Sequence, residues 1–161
     1  MKTASMCLLT QGAIHEPSGA ALPDCAVPRV ISFDKNYKDM NSTNLKELGF
    51  TDGVLLCKLN AADVPYQGGL FALIDKTLEG TTDIIYIGRA KNLVKRIYGD
   101  ILGGQGKKGT RKIHDKLFNE GYLTKLEISW MPTDKLRARR ADLLQKFKQE
   151  HGDNPSWNVR P

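Results

Sequence analysis

Lysine and arginine side chains, which can bind phosphate groups, are concentrated between Arg89 and Arg140. This segment has fourteen Lys and Arg residues and five Asp and Glu residues, a net charge of +9, whereas the rest of the chain carries −3. Each cation that meets a phosphate of a polyanion releases condensed counterions, which favours binding. The charge distribution therefore predicts a polyanion as partner, and a solvated basic surface is the alternative interpretation.

Cysteine and histidine residues do not form a recognisable metal or disulfide pattern. Cys7, Cys25 and Cys57 are odd in number, include no C-x-x-C pair and have no histidine at ligand spacing. Neither a disulfide framework nor a structural zinc site is predicted. We expect these thiols to be buried or chemically idle.

The length and composition predict one globular domain. The chain has 161 residues, of which 40% are hydrophobic and 26% charged, close to ordinary globular usage. No run approaches the roughly 18 apolar residues of a membrane span, and the first ten residues hold too little apolar sequence for a secretory signal. We therefore expect a cytoplasmic protein with no membrane partner.

The chain divides into an irregular head and a regular body. Residues 1–40 contain three prolines and scattered charges, which predicts an irregular N-terminal arm, and residues 41–161 form the predicted domain. Ser42 or Asn44 can cap a short helix. The segment from Val54 to Leu59 has strand composition.

The body contains the elements of a small α/β protein. The apolar segments Gly69–Asp75 and Asp83–Gly88 predict an antiparallel hairpin, and Leu123–Met131 alternates as a half-buried third strand. Helices are predicted to open at Asn92 and at Thr110. A last helix is predicted from Thr133 to a stop at Gly152.

Short motifs on these elements resemble those of the GIY-YIG nuclease superfamily. Gly69-Leu70-Phe71 is followed by Tyr86-Ile87-Gly88, then by Arg96 ten residues after that tyrosine, and the chain closes with Pro155-x-x-Asn158. The stretch from Tyr86 to Arg96 is the most specific part. The resemblance covers about residues 64–158 and implies an α/β fold in which helices flank a three-stranded antiparallel sheet.

The resemblance also implies a function and a set of site residues. Members of the superfamily are divalent-metal-dependent endonucleases, so Mg²⁺ or Mn²⁺ is the implied cofactor and nucleic acid, DNA rather than RNA, the implied partner. Tyr86, which would position or deprotonate water, Arg96, which would donate to the scissile phosphate, and Asn158, which would tie the tail beside the site, match catalytic positions. The residues expected to contact nucleic acid are Arg89, Lys91, Lys95, Lys107, Lys108, Arg111 and Lys112.

The sequence departs from the family pattern at positions that matter for catalysis. Phe71 stands where the first motif usually has tyrosine, and Asp100 where many members have histidine. The position of the metal-binding carboxylate is Arg140. Asp142 is a weak substitute, because a residue two positions away on a helix is rotated by about 200°. His114 is predicted to lie on the surface, with a place near the cleft as the alternative.

Two functions of different class follow from these departures. One is a nucleic-acid-binding protein of GIY-YIG type whose phosphodiester hydrolysis is weak or lost because Arg140 replaces the metal carboxylate. The other is an active divalent-metal-dependent DNA endonuclease that uses substitute residues. A third interpretation, in which Arg140 inactivates an otherwise complete enzyme, is disfavoured by the second departure at Phe71.

Overall fold

An antiparallel sheet forms the centre of the computed structural model, which describes residues 40–78 and 83–158. The strands are β1 (Val54–Leu55), β2 (Gly69–Asp75), β3 (Ile84–Ala90) and β4 (Leu126–Pro132). Their order across the sheet is β1-β4-β2-β3, and each neighbouring pair is antiparallel. Every residue of β2 is buried, because this strand is central and both of its faces are covered. The predicted α/β class with an antiparallel sheet is confirmed.

The predicted strand number and some predicted strand limits are wrong. A fourth strand is present because Val54 and Leu55 pair with Ile128 and Glu127. This strand stops after two residues, since Leu56–Lys58 turns into a 3₁₀ helix. The fourth strand in sequence begins at Leu126 rather than Leu123, because Tyr122–Thr124 forms another 3₁₀ turn after Gly121, which has a φ of 73°.

In the described part of the chain, three longer helices pack on the sheet, and one of them is a π-helix. The π-helix spans Lys95–Leu102, α1 spans Lys108–Asn119 and α2 spans Leu136–His151. Two α-helical residues, Leu93 and Val94, precede the π-helix, so the predicted start at Asn92 is confirmed, and Asn92 Oδ1 accepts from Lys95 N at 2.9 Å. The ordinary 3.6-residue period predicted there is wrong, because Gly103 N donates to Tyr98 O, five residues back, at 2.7 Å.

The starts of α1 and α2 also differ from prediction. Helix α1 starts at Lys108 rather than Thr110, and the Thr110 hydroxyl binds another side chain instead of capping the helix. The Thr133 hydroxyl accepts from Lys135 N at 3.3 Å, one residue before α2 begins. The predicted stop at Gly152 is confirmed, since this residue follows α2 with a φ of 81°, a conformation that glycine adopts without strain.

Hydrophobic clusters cover both faces of the sheet. Phe71 and Leu73 share the upper cluster with the π-helix residue Ile97 and the α1 residue Leu117. The lower cluster contains Met40 and Leu45, the alternate β2 residues Leu70, Ala72 and Ile74, and the α2 residues Leu143 and Phe147. This alternation follows from the two-residue period of a strand. It places the π-helix and α1 on one side of β3 and α2 on the other.

The N-terminal part of the body begins inside the lower cluster. Met40 is 1% exposed, and its carbonyl oxygen lies 3.0 Å from His151 Nε2 at the end of α2. Instead of the helix predicted from Ser42 or Asn44, the chain forms a 3₁₀ helix at Ser42–Asn44 that Asn41 caps. The predicted arm lies outside the described residues except for Met40, and its boundary stays a prediction.

Within the described part of the chain, no helix is both long and apolar enough to cross a membrane.

Candidate nucleic-acid interface

Strand β3 presents Tyr86 beside Phe71 on the upper face of the sheet. The two ring centroids are 5.7 Å apart, and both rings lie over Gly88. A Cβ atom at Gly88 would fall 2.6 Å from Phe71 Cε1 and 2.7 Å from Tyr86 Cε1, far inside van der Waals contact. Glycine at position 88 therefore allows Phe71 to be buried while Tyr86 keeps partial exposure.

Side chains and the C-terminal tail form hydrogen bonds with the outer edge of β3. Asn158 Oδ1 accepts from Ile87 N at 2.7 Å, and its Nδ2 donates to Ile87 O at 2.9 Å. Arg140 Nε donates to the same oxygen at 3.1 Å. Trp157 N donates to Ile85 O at 2.9 Å. The tail thus acts on the edge of β3 as a further strand would, and it brings Asn158 and Trp157 next to Tyr86, while α2 brings Arg140 to the same edge.

A cavity of about 630 Å³ lies between this edge and α1, and we call it the first cavity. Its described lining includes four cations, of which three come from α1 and one from α2, and two aromatic side chains. The residues are Lys108, Lys112, Lys116, Arg140, Tyr86 and Trp157, together with Asn158, Thr110, Gly109, Ile113 and Ser156. None of these residues is acidic, so the described wall favours an anionic ligand.

The charges of the first cavity are largely unpaired. Of its four cations, only Lys116 forms an ion pair within the described residues, with Glu120 at 3.4 Å. Lys116 Nζ also lies 5.2 Å from the centroid of a Trp157 ring, and Trp157 packs edge to face against Tyr122 at 5.3 Å. Lys108, Lys112 and Arg140 are thus available to an incoming anion.

Arg96 faces a different depression, which we call the second groove. The groove has a volume of about 670 Å³ and includes Arg89, Lys91, Arg96, Lys135 and Arg137 in its described lining. Arg96 Nη1 donates to Asp100 Oδ2 at 2.8 Å and to Thr110 Oγ1 at 3.2 Å. Since Thr110 lines the first cavity, Arg96 lies behind its wall and not in the described lining beside Tyr86.

The predicted site residues are therefore divided between two depressions. Tyr86, Asn158, Lys108 and Lys112 line the first cavity, while Arg96, Arg89 and Lys91 line the second groove. The other predicted nucleic-acid contacts, Lys95, Lys107 and Arg111, are exposed but belong to neither described lining.

The residues present do not fit a divalent metal ion. Arg140 occupies the predicted metal position and turns its guanidinium into the first cavity, whose described lining offers no carboxylate. Asp142 is exposed and does not belong to that lining. Searching the described residues for three or more grouped His, Cys, Asp or Glu side chains finds no candidate metal site. Hard divalent cations such as Mg²⁺ bind oxygen ligands, chiefly carboxylates.

His114 is half-buried rather than on the surface as predicted, and it does not belong to the described lining of the first cavity. Its Nδ1 lies 2.9 Å from Ile101 O at the end of the π-helix, and its ring packs on Phe118 with centroids 4.6 Å apart. A carbonyl oxygen can only accept, so Nδ1 carries the proton in this contact. The half-buried ring thus connects α1 to the π-helix.

Three residues that line the first cavity, Lys116, Trp157 and Thr110, are not among the predicted site residues. A sequence pattern indicates the first two. Lys116 follows Lys108 and Lys112 at intervals of four residues, which places all three on one face of α1. Trp157 is the neighbour of the predicted Asn158. Thr110 is predicted only as a helix cap, and the fold alone reveals its contact with Arg96.

Comparisons of this chain with protein-family models, with curated proteins and with solved structures found no match.

Proposed function

We propose that this protein binds nucleic acid, DNA rather than RNA, on a scaffold of GIY-YIG type whose phosphodiester hydrolysis is weak or lost. The observation that carries the proposal is the described wall of the first cavity, in which four cations and two aromatic rings occur without an acidic side chain. Cations hold phosphates, and aromatic faces stack on bases. The preference for DNA and a cytoplasmic location rest on the sequence resemblance and composition.

The position of Arg140 supports binding over cleavage. Its Nε is held by Ile87 O, and its Nη atoms have no hydrogen-bond partner among the described residues. A guanidinium can donate two parallel hydrogen bonds to a phosphate. The same positive charge repels a divalent cation, and the metal-dependent stabilisation of a transition state is worth several kcal/mol.

Two double variants at the start of α1 test the binding site. We expect Lys108→Ala with Lys112→Ala, which removes cations from the first cavity, to weaken binding of a labelled DNA oligonucleotide. For each phosphate that is no longer neutralised, the magnitude of the slope of log K against log salt should fall by about 0.9 with duplex DNA and by about 0.7 with single-stranded DNA. Lys107→Ala with Arg111→Ala removes the same charge from exposed positions outside the described lining. Fluorescence anisotropy over a series of salt concentrations measures both effects.

The double variant Lys107→Ala with Arg111→Ala is the control for the binding site. Equal losses of affinity in the two double variants would mean that α1 acts only through its total charge. Unchanged affinity in both would refute nucleic-acid binding by this face. A parallel titration with RNA of the same sequence tests the preference for DNA, which equal or tighter RNA binding would contradict.

A plasmid-nicking assay with Mg²⁺ or Mn²⁺ tests the proposed loss of hydrolysis. We expect metal-dependent nicking by the unmodified chain to be weak or absent, because no described residue of the first cavity supplies a carboxylate ligand. Robust nicking that Tyr86→Phe abolishes would overturn this expectation and would favour an active endonuclease that uses substitute residues.

A further inference from the structure

The described lining of the second groove contains five cations, of which Arg96 matches a catalytic position of the GIY-YIG resemblance. Its cations come from three separate elements: Arg89 and Lys91 from the end of β3 and the residue after it, Arg96 from the π-helix, and Lys135 and Arg137 from the start of α2. Asp134 is the acidic residue of the described lining. The fold therefore assembles a cationic surface from residues that are distant in sequence.

Four of the five cations in the described lining of the second groove form no ion pair with a described acid. Among the described residues, Arg96 forms an ion pair with Asp100 at 2.8 Å, and the other four cations form none. Arg96 uses Nη1 for both of its contacts, so Nε and Nη2 have no partner within the described residues. Unpaired cations that converge on one groove favour a ligand with negative charge.

The second groove and the first cavity are adjacent. The hydrogen bond from Arg96 to Thr110 joins a wall of one to a wall of the other. On α2, Arg137 lines the groove and Arg140 lines the cavity, and residues three apart are neighbours on a helix surface. On β3, Tyr86 lines the cavity and Arg89 lines the groove, about 10 Å farther along the strand and on its opposite face, so the two depressions meet across the outer edge of β3.

We propose that the second groove binds the phosphate backbone that flanks the nucleotide in the first cavity. One nucleic-acid strand then follows the edge of β3 from Tyr86 towards Lys91. This inference rests on the proposed function and extends it by defining a path. A long polyanion can satisfy both depressions at once, whereas a small anion would leave most of these cations without a partner.

A length series of DNA oligonucleotides tests this path with three double variants of the full chain. Lys135→Ala with Arg137→Ala removes charge from the second groove. Arg139→Ala with Lys148→Ala removes the same charge from exposed positions of α2 outside both described linings. The third variant is Lys108→Ala with Lys112→Ala. Affinity is measured by anisotropy at one salt concentration for strands of about 4 to 16 nucleotides.

We expect the effect of the second-groove variant to depend on strand length. This variant should bind the longest strand roughly tenfold or more weakly than the unmodified chain does. Its affinity for the shortest strand should stay within about twofold of that of the unmodified chain. The first-cavity variant should weaken all lengths, and the Arg139 and Lys148 control should be close to the unmodified chain.

The remaining outcomes separate the two proposals. If the second-groove variant matches the Arg139 and Lys148 control at every length while the first-cavity variant binds weakly, the flanking path is refuted and the proposed function stands. An equal loss at all lengths also refutes the path, because the groove would then contact the same nucleotide as the cavity. If the unmodified chain binds no strand of any length, the proposed function fails, and the path fails with it.

Discussion

Arg140 combines a structural contact with an electrostatic one. Its Nε completes the hydrogen bonding of Ile87 O, to which Asn158 also donates, and the rest of the guanidinium faces the first cavity. Glutamate at this position could not donate to a carbonyl oxygen, so the contact with β3 depends on a cationic or amide side chain. The residue type that the resemblance implies for a nuclease would thus change both the charge of the cavity and the edge of the sheet.

Tyr98 of the π-helix has a buried hydroxyl with no hydrogen-bond partner among the described residues. Burial, with a smaller contribution from the negative charge of Asp63, raises the pKa of this hydroxyl above its ordinary value of 10.0. The folded chain therefore keeps the proton to a higher pH than the unfolded chain does. This contribution to stability is present below pH 10 and is lost as the pH rises through the folded-state pKa.

Tyr98→Phe should keep or increase the free energy of unfolding at pH 7, by up to about 1 kcal/mol, because it removes a desolvated hydroxyl that lacks a partner. Between about pH 10 and pH 11 the variant should lose less stability than the unmodified chain. Urea denaturation at pH 7 and at about pH 11 measures the free energy of unfolding of the variant and of the unmodified chain. Tyr66→Phe, at an exposed position, is the control. Destabilisation of Tyr98→Phe by more than about 1 kcal/mol at pH 7 would show that the hydroxyl has a partner.

The edge of β3 depends on one amide side chain as well as on backbone pairing. Asn158 satisfies both the N–H and the C=O of Ile87, a residue that is fully buried. Unpaired strand edges invite association with other chains. The tail therefore protects the edge at the same place where it shapes the first cavity.

Asn158→Ala should lower the free energy of unfolding by about 1 to 3 kcal/mol, since the buried N–H of Ile87 loses its partner. Thermal denaturation followed by circular dichroism measures the loss. Asn154→Ala in the same tail is the matched control, because its side chain makes no hydrogen bond within the described residues. Equal melting temperatures for the two variants would contradict the proposed role of Asn158 at the edge.

The elements show which parts of the structure a sequence can predict. Gly69–Asp75 is predicted with its observed limits, because a continuous apolar run bounded by turn residues matches a strand buried on both faces. The π-helix could not be predicted from apolar spacing. Its widened turn depends on Gly103, where a Cβ would fall 2.8 Å from Gly99 O and 2.9 Å from Tyr98 O. That close approach is visible only once the chain is folded.

The sequence predicts only part of the candidate site, because some of its contacts depend on how the chain folds. Motif spacing selects Tyr86, Arg140 and Asn158, and the fold brings all three to the first cavity. Spacing could not assign Arg96 to the second groove, since this depends on how the π-helix turns beside β3. The catalytic roles of Tyr86, Arg96 and Asn158 stay predictions.

Over the whole molecule, positive charge and hydrophobic packing are distributed differently along the chain. The net charge of +9 lies between Arg89 and Arg140, and the cations of both depressions belong to this segment. The lower hydrophobic cluster instead extends back to Met40 and Leu45. Met40 and Leu45 thus contribute to stability, while the charge of the two described linings comes from a later segment.

Removal of residues 1–35 should leave the melting temperature unchanged, because the sequence predicts an irregular arm there and the described members of the lower cluster begin at Met40. Removal of residues 1–45 should lower the free energy of unfolding by several kcal/mol, since Met40 and Leu45 no longer fill the cluster and each is worth about 2 to 5 kcal/mol. Differential scanning calorimetry of the two shortened chains and the full chain measures this. A large loss of stability on removing residues 1–35 alone would contradict the predicted boundary.

The two tryptophans of the chain occupy different environments, which makes them separate optical probes. Trp130 is 5% exposed in the sheet, whereas Trp157 lines the first cavity and packs on Tyr122. An indole in contact with water emits at longer wavelength than a buried one, so long-wavelength emission reports on the half-buried Trp157 and short-wavelength emission on Trp130. A single unlabelled sample can therefore report occupancy of the cavity and integrity of the fold in the same spectrum.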